Sequence, residues 1–299
     1  MTKDIAEVEV RVARGEDKEA VLAFCKHTWE NQPDYIHLVW DKWLTDPTGR
    51  IFVAVVDSLP VAMERVVLMS KHEAWWEALR VDPRYRGQGL VGVLRPHIER
   101  YLQAAGISVS RNCVSSENTI MNGIMARRGR QKVGRYAPYK ADPIDSSLSH
   151  LVQLSSDDFD SAWALVASSD FRTGGPCLYI NRGAKWQELT TQQLSDRLEA
   201  GLVWGIKQAH QVIAIAIQSY LEGSNKTLWI GYADGTSEGL PSLLRELRLL
   251  AHREGYLAVG GIFPLCDRVL ESLTLAGYQR VEEQEYWLYE WQLDSAESV

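Results

Sequence analysis

The sequence predicts an α+β fold built twice in tandem. Three observations predict it. A β-rich segment, a glycine-bearing turn and an amphipathic helix succeed one another between Trp75 and Ala105. The same order of elements recurs about 150 residues later. The chain of 299 residues is long enough for two cores.

Composition narrows the class. Apolar residues make up 45% and charged residues 24%, as in ordinary globular proteins. No apolar run reaches membrane-spanning length: Ile51 to Val56 stops at Asp57, and Val66 to Met69 is short. Met1-Thr2-Lys3-Asp4 opens no apolar signal region. Cys25, Cys113, Cys177 and Cys266 are scattered, without a C-x-x-C pair, clustered histidines or other metal spacing. They read as free buried thiols in a reducing compartment, so a cytoplasmic, metal-free protein is expected.

The elements run in order. Phe52 to Ala62 alternates as a hairpin with its turn at Asp57 to Pro60. Trp75 to Val81 is a strand, which Pro83 cannot continue. Gly87 and Gly89 form a turn free of Cβ atoms. Leu94, Ile98, Tyr101, Leu102 and Ala105 then recur at helical spacing. The helix start aims its orphan N–H groups and positive dipole end at the turn, which makes an anion cradle suited to a pyrophosphate. A helix end at Ala105-Gly106, a strand from Val109 to Val114 and a helix ending near Gly129 complete the first copy.

The second copy repeats the plan. Val203 to Ile213 is its hairpin, Glu254-Gly255 its helix end, Leu257 to Phe263 its strand, and Gly277 its second helix end. A Lys-Trp pair precedes each hairpin, Lys42-Trp43 and Lys185-Trp186. The segment Leu228 to Gly235 passes to a helix from about Leu240 with no glycine loop, so this copy is degenerate. Pro138 to Ser149 reads as the linker, which sets domains at 1–140 and 150–299. Charge is uneven. Residues 80–140 hold twelve Lys or Arg against three Asp or Glu, whereas 151–299 hold eleven against twenty. A basic segment around a phosphate loop suits a small polyanion better than nucleic acid.

Two motifs share the loop. Gly87, Gly89 and Gly92 spell G-x-G-x-x-G, the dinucleotide fingerprint. Against it, residues 82–86 separate the strand from the glycines, and Ile107 to Arg111 lacks the expected carboxylate. Arg84-x-x-Gly87-x-Gly89 after Leu79-Arg80-Val81 resembles instead the signature loop of GCN5-related N-acetyltransferases. The run from Glu77 to Val81 through Gly87 to Leu94 carries most of that likeness. Gly174-Gly175, Ala200 to Trp204 and Glu285 to Leu288 extend it to the histidine N-acetyltransferase type.

The resemblance implies tandem acyl-CoA N-acyltransferase folds, each a mixed central sheet flanked by helices, with the first copy active. It implies acetyl-CoA as co-substrate and direct attack by the primary amine of a small molecule such as an amino acid, while charge and hydropathy lead us to expect neither a nucleic-acid nor a membrane partner. Arg84, Arg86, Gly87, Gln88, Gly89, Leu90 and Val91 would hold the pyrophosphate. The edge at Leu79, Arg80 and Val81 would pair with the pantetheine arm, and Asn118 would touch CoA. A protonated amine needs a base, and Glu77 and Glu73 are the candidates, four apart on one strand and hence on one face. The family's tyrosine acid falls on Met125, so Tyr136 or Tyr139 would have to substitute. Two other readings compete: a non-catalytic acyl-CoA-binding protein, and an acetyltransferase acting on a protein amine. His97 reads as a partly buried helix-face residue.

Overall fold

Alternation of apolar side chains along 51–67 feeds two separate cores, one on each face of a sheet. In the computed structural model, Phe52, Ala54 and Val56 pack to one face while Ile51, Val53 and Val55 pack to the other. Residues 8–28, 33–146, 150–170, 176–221 and 226–293 are described. The chain divides into two units, Met1–Asn112 with Glu290–Val299, and Cys113–Tyr289.

The first unit comprises β1 (Glu9–Val12), α1 (Lys18–Cys25), α2 (Ile36–Leu44), β2 (Gly49–Val56), β3 (Leu59–Leu68), β4 (Glu73–Val81), α3 (Leu90–Ala104) and the start of β5 (Val109–Ser115). Strands β1 to β4 pair antiparallel in sequence order, and β5 joins β4 in parallel. Leu90, Leu94, Ile98 and Leu102 of α3 are fully buried on one face, against Phe52 and Trp76. Truncating any of these leucines would cost about 2–5 kcal/mol. On the opposite face Val21, Phe24, Ile36 and Trp40 of α1 and α2 cover Val53 and Met63.

The second unit holds α4 (Thr119–Arg127), β6 (Gln131–Ala141), β7 (Val152–Gln153), α5 (Phe159–Ala167), β8 (Leu178–Arg182), β9 (Lys185–Glu188) and α6 (Thr191–Glu199). It continues with β10 (Val203–Gln208), β11 (Gln211–Gln218), β12 (Thr227–Gly235), α7 (Gly239–Arg253), β13 (Ala258–Pro264), α8 (Asp267–Leu275) and β14 (Gln279–Arg280). The last strand is β15 (Tyr286–Gln292). Strands β7, β10, β11 and β12 pair antiparallel in that order, and β13 joins β12 in parallel. This repeats the pattern of β1 to β5.

Local details repeat as well. Asp57 and Ser58 turn the β2–β3 hairpin with φ of 48° and 66°, and Ala209 and His210 turn β10–β11 with 48° and 67°. A two-residue turn with both central residues at positive φ matches the twist of its strands. Leu59 and Pro60, expected in the turn, instead begin β3. Helices α3, α4, α7 and α8 each run on to a glycine at positive φ: Gly106, Gly129, Gly255 and Gly277. In each case the next residue donates back across the last turn, as Ile107 does to the Leu102 carbonyl and Tyr256 to that of Ala251.

Three sequence expectations are corrected. The strand β6 continues through Ala141 because its residues pair with β13 from Ala141↔Val259 to Tyr136↔Pro264. Pro138 to Ala141 are therefore strand, not linker, and residues 147–149 and Gly174-Gly175 lie outside the described residues. The two Lys-Trp pairs are not equivalent, since Lys42-Trp43 lies in α2 and Lys185-Trp186 in β9. Cys25 and Cys177 are buried, whereas Cys113 and Cys266 are half-buried. Among the described residues, no helix is long and apolar enough to cross a membrane.

Candidate active site

In the first unit, β4 and β5 pair only at Glu73↔Val109, Ala74↔Ser110 and Trp75↔Arg111, and then part. Beyond Trp75 the β5-facing edge of β4 has no strand partner among the described residues, so its amides can meet a ligand. The parting coincides with a bulge. The β3–β4 register slips between Arg65↔Glu77 and Met63↔Arg80, and Ala78 sits at φ 59°. An extra residue on one strand bends it and reverses which face the later side chains take. Leu79 and Val81 accordingly pack with the α3-side core, while Ala78 packs with the opposite core. The bulge falls after Glu77, so it separates both candidate carboxylates from Leu79 and Val81.

The loop after β4 is built from its own residues. The Asp82 carboxylate is buried and accepts from the Arg84 amide at 2.9 Å and from Arg84 Nη2 at 2.7 Å. The Arg84 hydrogen bond holds this carboxyl below its ordinary range. Arg84 itself is exposed, so it serves here as a clamp on the turn. Arg86 donates to the carbonyls of Val81 (3.3 Å) and His27 (3.1 Å), and Gln88 Nε2 to that of Arg84 (3.0 Å). Gly87 and Gly89 adopt φ of 75° and 81°, and a Cβ on either would meet nothing within 4 Å. The demand for glycine thus comes from backbone conformation, and the space before the loop is open.

The amides of Gly87, Gln88, Gly89, Leu90 and Val91 have no acceptor among the described residues. Gly89 begins α3 without a side-chain cap, and the first turn carries no acid. Five adjacent donors therefore stand without acceptors at the start of a helix whose dipole favours an anion, which fits the diphosphate of a nucleotide-like ligand. Leu90, fully buried, anchors this turn of the helix, and Val91 is half-buried.

The two candidate carboxylates stand on either side of the point where the strands part. Glu73 is buried within the paired stretch and holds Arg111, whose Nε also reaches Glu290 at 2.7 Å. Glu77 lies just past it, less buried, paired to the buried Arg65. Arg65 also binds Asp46 and stacks on the Trp43 ring at 4.5 Å. Arg80 points away from the loop glycines to Asp34, with Nε to Oδ2 at 2.6 Å, and lies over the Tyr35 ring. Burial alone would raise the Asp34 pKa, but hydrogen bonds led by Arg80 carry it below the usual range.

Three predicted residues, Asn118, Tyr136 and Tyr139, belong to the second unit. Asn118 is the N-cap of α4, its Oδ1 accepting from the Met121 amide at 3.0 Å. Tyr136 on β6 packs against Trp186 with centroids 5.1 Å apart and lines a cavity of that unit. Met125 is fully buried in an apolar cluster with Val114 and Tyr289. His97 is half-buried, its Nδ1 at 3.1 Å from the Val93 carbonyl. Among the described residues, no group of His, Cys, Asp and Glu is placed to hold a metal ion.

Sequence reasoning missed Asp82, Asp34 and Arg65. The Asp-Pro pair at 82–83 was a local signal for a capped turn. Arg65 left none, because its partners Asp46 and Glu77 lie far away along the chain.

Comparison with known proteins bears on this geometry. Residues 18–129 match the model of the acetyltransferase (GNAT) family. A GCN5-related N-acetyltransferase from Sphaerobacter thermophilus superposes with a TM-score of 0.62 at 16% identity, covering 96% of each chain. A putative acetyltransferase from Thermoplasma acidophilum gives 0.58 at 16% identity, covering 95% of this chain and 99% of its own. A tandem GNAT protein from the clavulanic acid biosynthesis pathway gives 0.55 at 13% identity, covering 96% and 99%. No curated protein matches the sequence. The fold is therefore α+β and that of the tandem GCN5-related acetyltransferases.

Proposed function

We propose that the chain is an acetyl-CoA-dependent N-acetyltransferase acting on the primary amine of a small molecule, with free amino acids as the acceptor class to test. The observation that carries this reading is the row of amides from Gly87 to Val91 without acceptors among the described residues, beside the edge of β4 past its last pair with β5. Those amides would hold the pyrophosphate, and the β4 edge at Leu79 to Val81 would pair with the pantetheine amides. When bound, acetyl-CoA supplies an activated acyl group. The residues of this chain have two further tasks: orienting the amine and taking its proton.

Glu77 is the better base. It lies past the last β4–β5 pair, where a ligand can approach, whereas Glu73 lies inside the paired stretch holding Arg111. Pairing to Arg65 pins the Glu77 carboxylate in one position, which favours proton transfer over a fixed distance. A strand amide of β4 would polarise the acyl carbonyl as the amine attacks. No acid is assigned, and the leaving thiolate, with a solution pKa of about 8.5, can depart unprotonated.

Thermal unfolding tests the reading. Saturating acetyl-CoA should raise Tm in the native chain, and Gly89→Trp should abolish that rise while NAD gives none in either. Absence of any shift with acetyl-CoA would overturn the proposal. A second reading, a non-catalytic acyl-CoA-binding protein, is favoured by the arginine pairs on both carboxylates and the burial of Met125. Release of CoA on addition of an amino acid, lost in Glu77→Gln with the acetyl-CoA shift intact, would decide for the enzyme.

A further inference from the structure

The second unit has its own parting of strands. β12 and β13 pair from Thr227↔Ala258 to Ile230↔Gly261 and then separate. The gap opens into a cavity of about 280 Å3, with walls that include Tyr136, Trp186, Phe263, Leu178, Ile230 and Ile262. Ligand pockets usually span about 300–1,000 Å3, so this one suits a molecule of amino-acid size and not a coenzyme.

The cavity is built, not left over. The β8–β9 hairpin is pressed onto β12, where a Cβ at Gly231 would collide with the Ile180 carbonyl oxygen. Ser219 Oγ donates to the Asn181 carbonyl at 2.7 Å, and the Gly183 amide to that of Tyr220 at 2.8 Å. Cys177 Sγ lies 3.4 Å from the Tyr232 hydroxyl.

Anion binding is closed off at the end where the first copy has its glycine loop. Asp234, buried, accepts from the Gly235 amide at 2.8 Å and from Arg268 Nη2 at 2.9 Å. Thr236 Oγ1 takes the Gly239 amide at 3.0 Å, the first amide of α7. A phosphate would meet a carboxylate and find these donors used.

The charged side chains among the described lining residues are Asp170 and Arg135, one of each sign, and Asp170 Oδ2 already lies 4.0 Å from Arg268 Nη1, so a ligand ammonium would share that carboxylate. Their side chains are 81% and 53% exposed, which sets them at the rim of a cavity walled by strand backbone as well as apolar side chains. Glu285 holds Arg135 Nε and Nη2, while Nη1 has no acceptor among the described residues. We propose that this cavity binds a free α-amino acid with an apolar side chain, side chain inward, ammonium to Asp170 and carboxylate to Arg135. The proposal does not depend on acyl transfer by the first copy.

The test uses the full chain with L-leucine and L-phenylalanine as probes. Isothermal titration should detect binding of at least one of them, lost in both Arg135→Gln and Asp170→Asn. Cys266 borders the cavity and gives its location. At ligand concentrations of about ten times Kd, alkylation of Cys266 by iodoacetamide should slow about tenfold, as read by peptide mass mapping. Four results would overturn the proposal. These are no heat with either amino acid, binding that survives both rim substitutions, equal protection of Cys266 by uncharged indole, and protection by acetyl-CoA alone. Binding of an acceptor in the first copy is told apart because it leaves the Cys266 rate and the rim variants without effect.

Discussion

The fourth strand of each copy does the same thing and leads to opposite ends. Both β4 and β12 run antiparallel to one neighbour, pair briefly in parallel with the next, and then diverge at a bulge. In the first copy the extra residue is near Ala78, whereas in the second Gly231 is the residue skipped between Gln218↔Ile230 and Ile217↔Tyr232. Past the strand ends the copies differ. Residues 82–89 make a loop whose amides from Gly87 onward have no acceptor among the described residues, while at the entry to α7 the Thr236 hydroxyl takes the Gly239 amide. The second copy spends its polar groups on itself, through Asp234, Arg268 and Tyr232. One architecture thus differs at its turn: a row of five amides without acceptors among the described residues in the first copy, and in the second a turn whose Gly235 and Gly239 amides are taken and where the Asp234 carboxylate repels an anion.

The largest expected effect separates the copies by ligand. Gly89→Trp should remove the acetyl-CoA-induced rise in Tm, since an L-residue at φ 81° costs about 1–2 kcal/mol and fills the space before the amides. Asp234→Asn should leave that rise unchanged. An acetyl-CoA shift that vanished in Asp234→Asn and survived in Gly89→Trp would reverse the assignment of the copies.

Next comes chemistry within the first copy. Glu77→Gln is expected to lower turnover by about 10²–10⁴ with acetyl-CoA affinity retained. Glu73→Gln should act on stability instead, because it leaves the buried Arg111 with Glu290 alone. Steady-state kinetics beside thermal melts would show a larger kinetic defect at Glu73 if the assignment is wrong.

Stability then separates the two turns. Asp234→Asn removes the charge facing Arg268 in a buried network and should cost about 3 kcal/mol in urea unfolding. Asp82→Asn should shift the midpoint less, since its partner Arg84 is exposed. Equal losses would mean that the first loop is held as rigidly as the second turn.

Legibility in the sequence depended on the reach of each interaction. The strand before Pro83, the glycines of the loop, the α3 stripe and the helix ends at Gly106, Gly129, Gly255 and Gly277 all depend on neighbours within a few residues. They could be read directly. The bulge at Ala78 could not, because an alanine carries no signal for positive φ and only the β3 register reveals it. The pairing of β6 with β13 joins residues more than a hundred positions apart, so Pro138 to Ala141 looked like linker. Arg95 and Arg111 were counted in the basic segment, yet each is buried against a carboxylate. The excess of basic residues at 80–140 is therefore partly a property of the core.

The smallest effect concerns acid. In the second unit, Arg135 donates two hydrogen bonds to Glu285, which together with Trp287 Nε1 at 3.0 Å draws its pKa to about 2. A carboxylate whose folded pKa lies below its unfolded value stabilises the fold above the unfolded value, and that stability is lost as pH falls through the folded pKa. The contribution should therefore be complete above about pH 4.5 and disappear towards pH 2. Glu285→Gln should flatten this part of the Tm-against-pH curve and leave neutral pH little changed beyond the loss of the pair. Arg135 is half exposed, so solvent screens the interaction and the shift should be modest. Asp82 of the first copy moves in the same direction through its Arg84 hydrogen bond, and Asp82→Asn should flatten the acid limb as well. If neither substitution changes the slope between pH 2 and pH 4.5, the acid limb belongs to other carboxylates such as Asp34, held low mainly by Arg80 against the cost of burial.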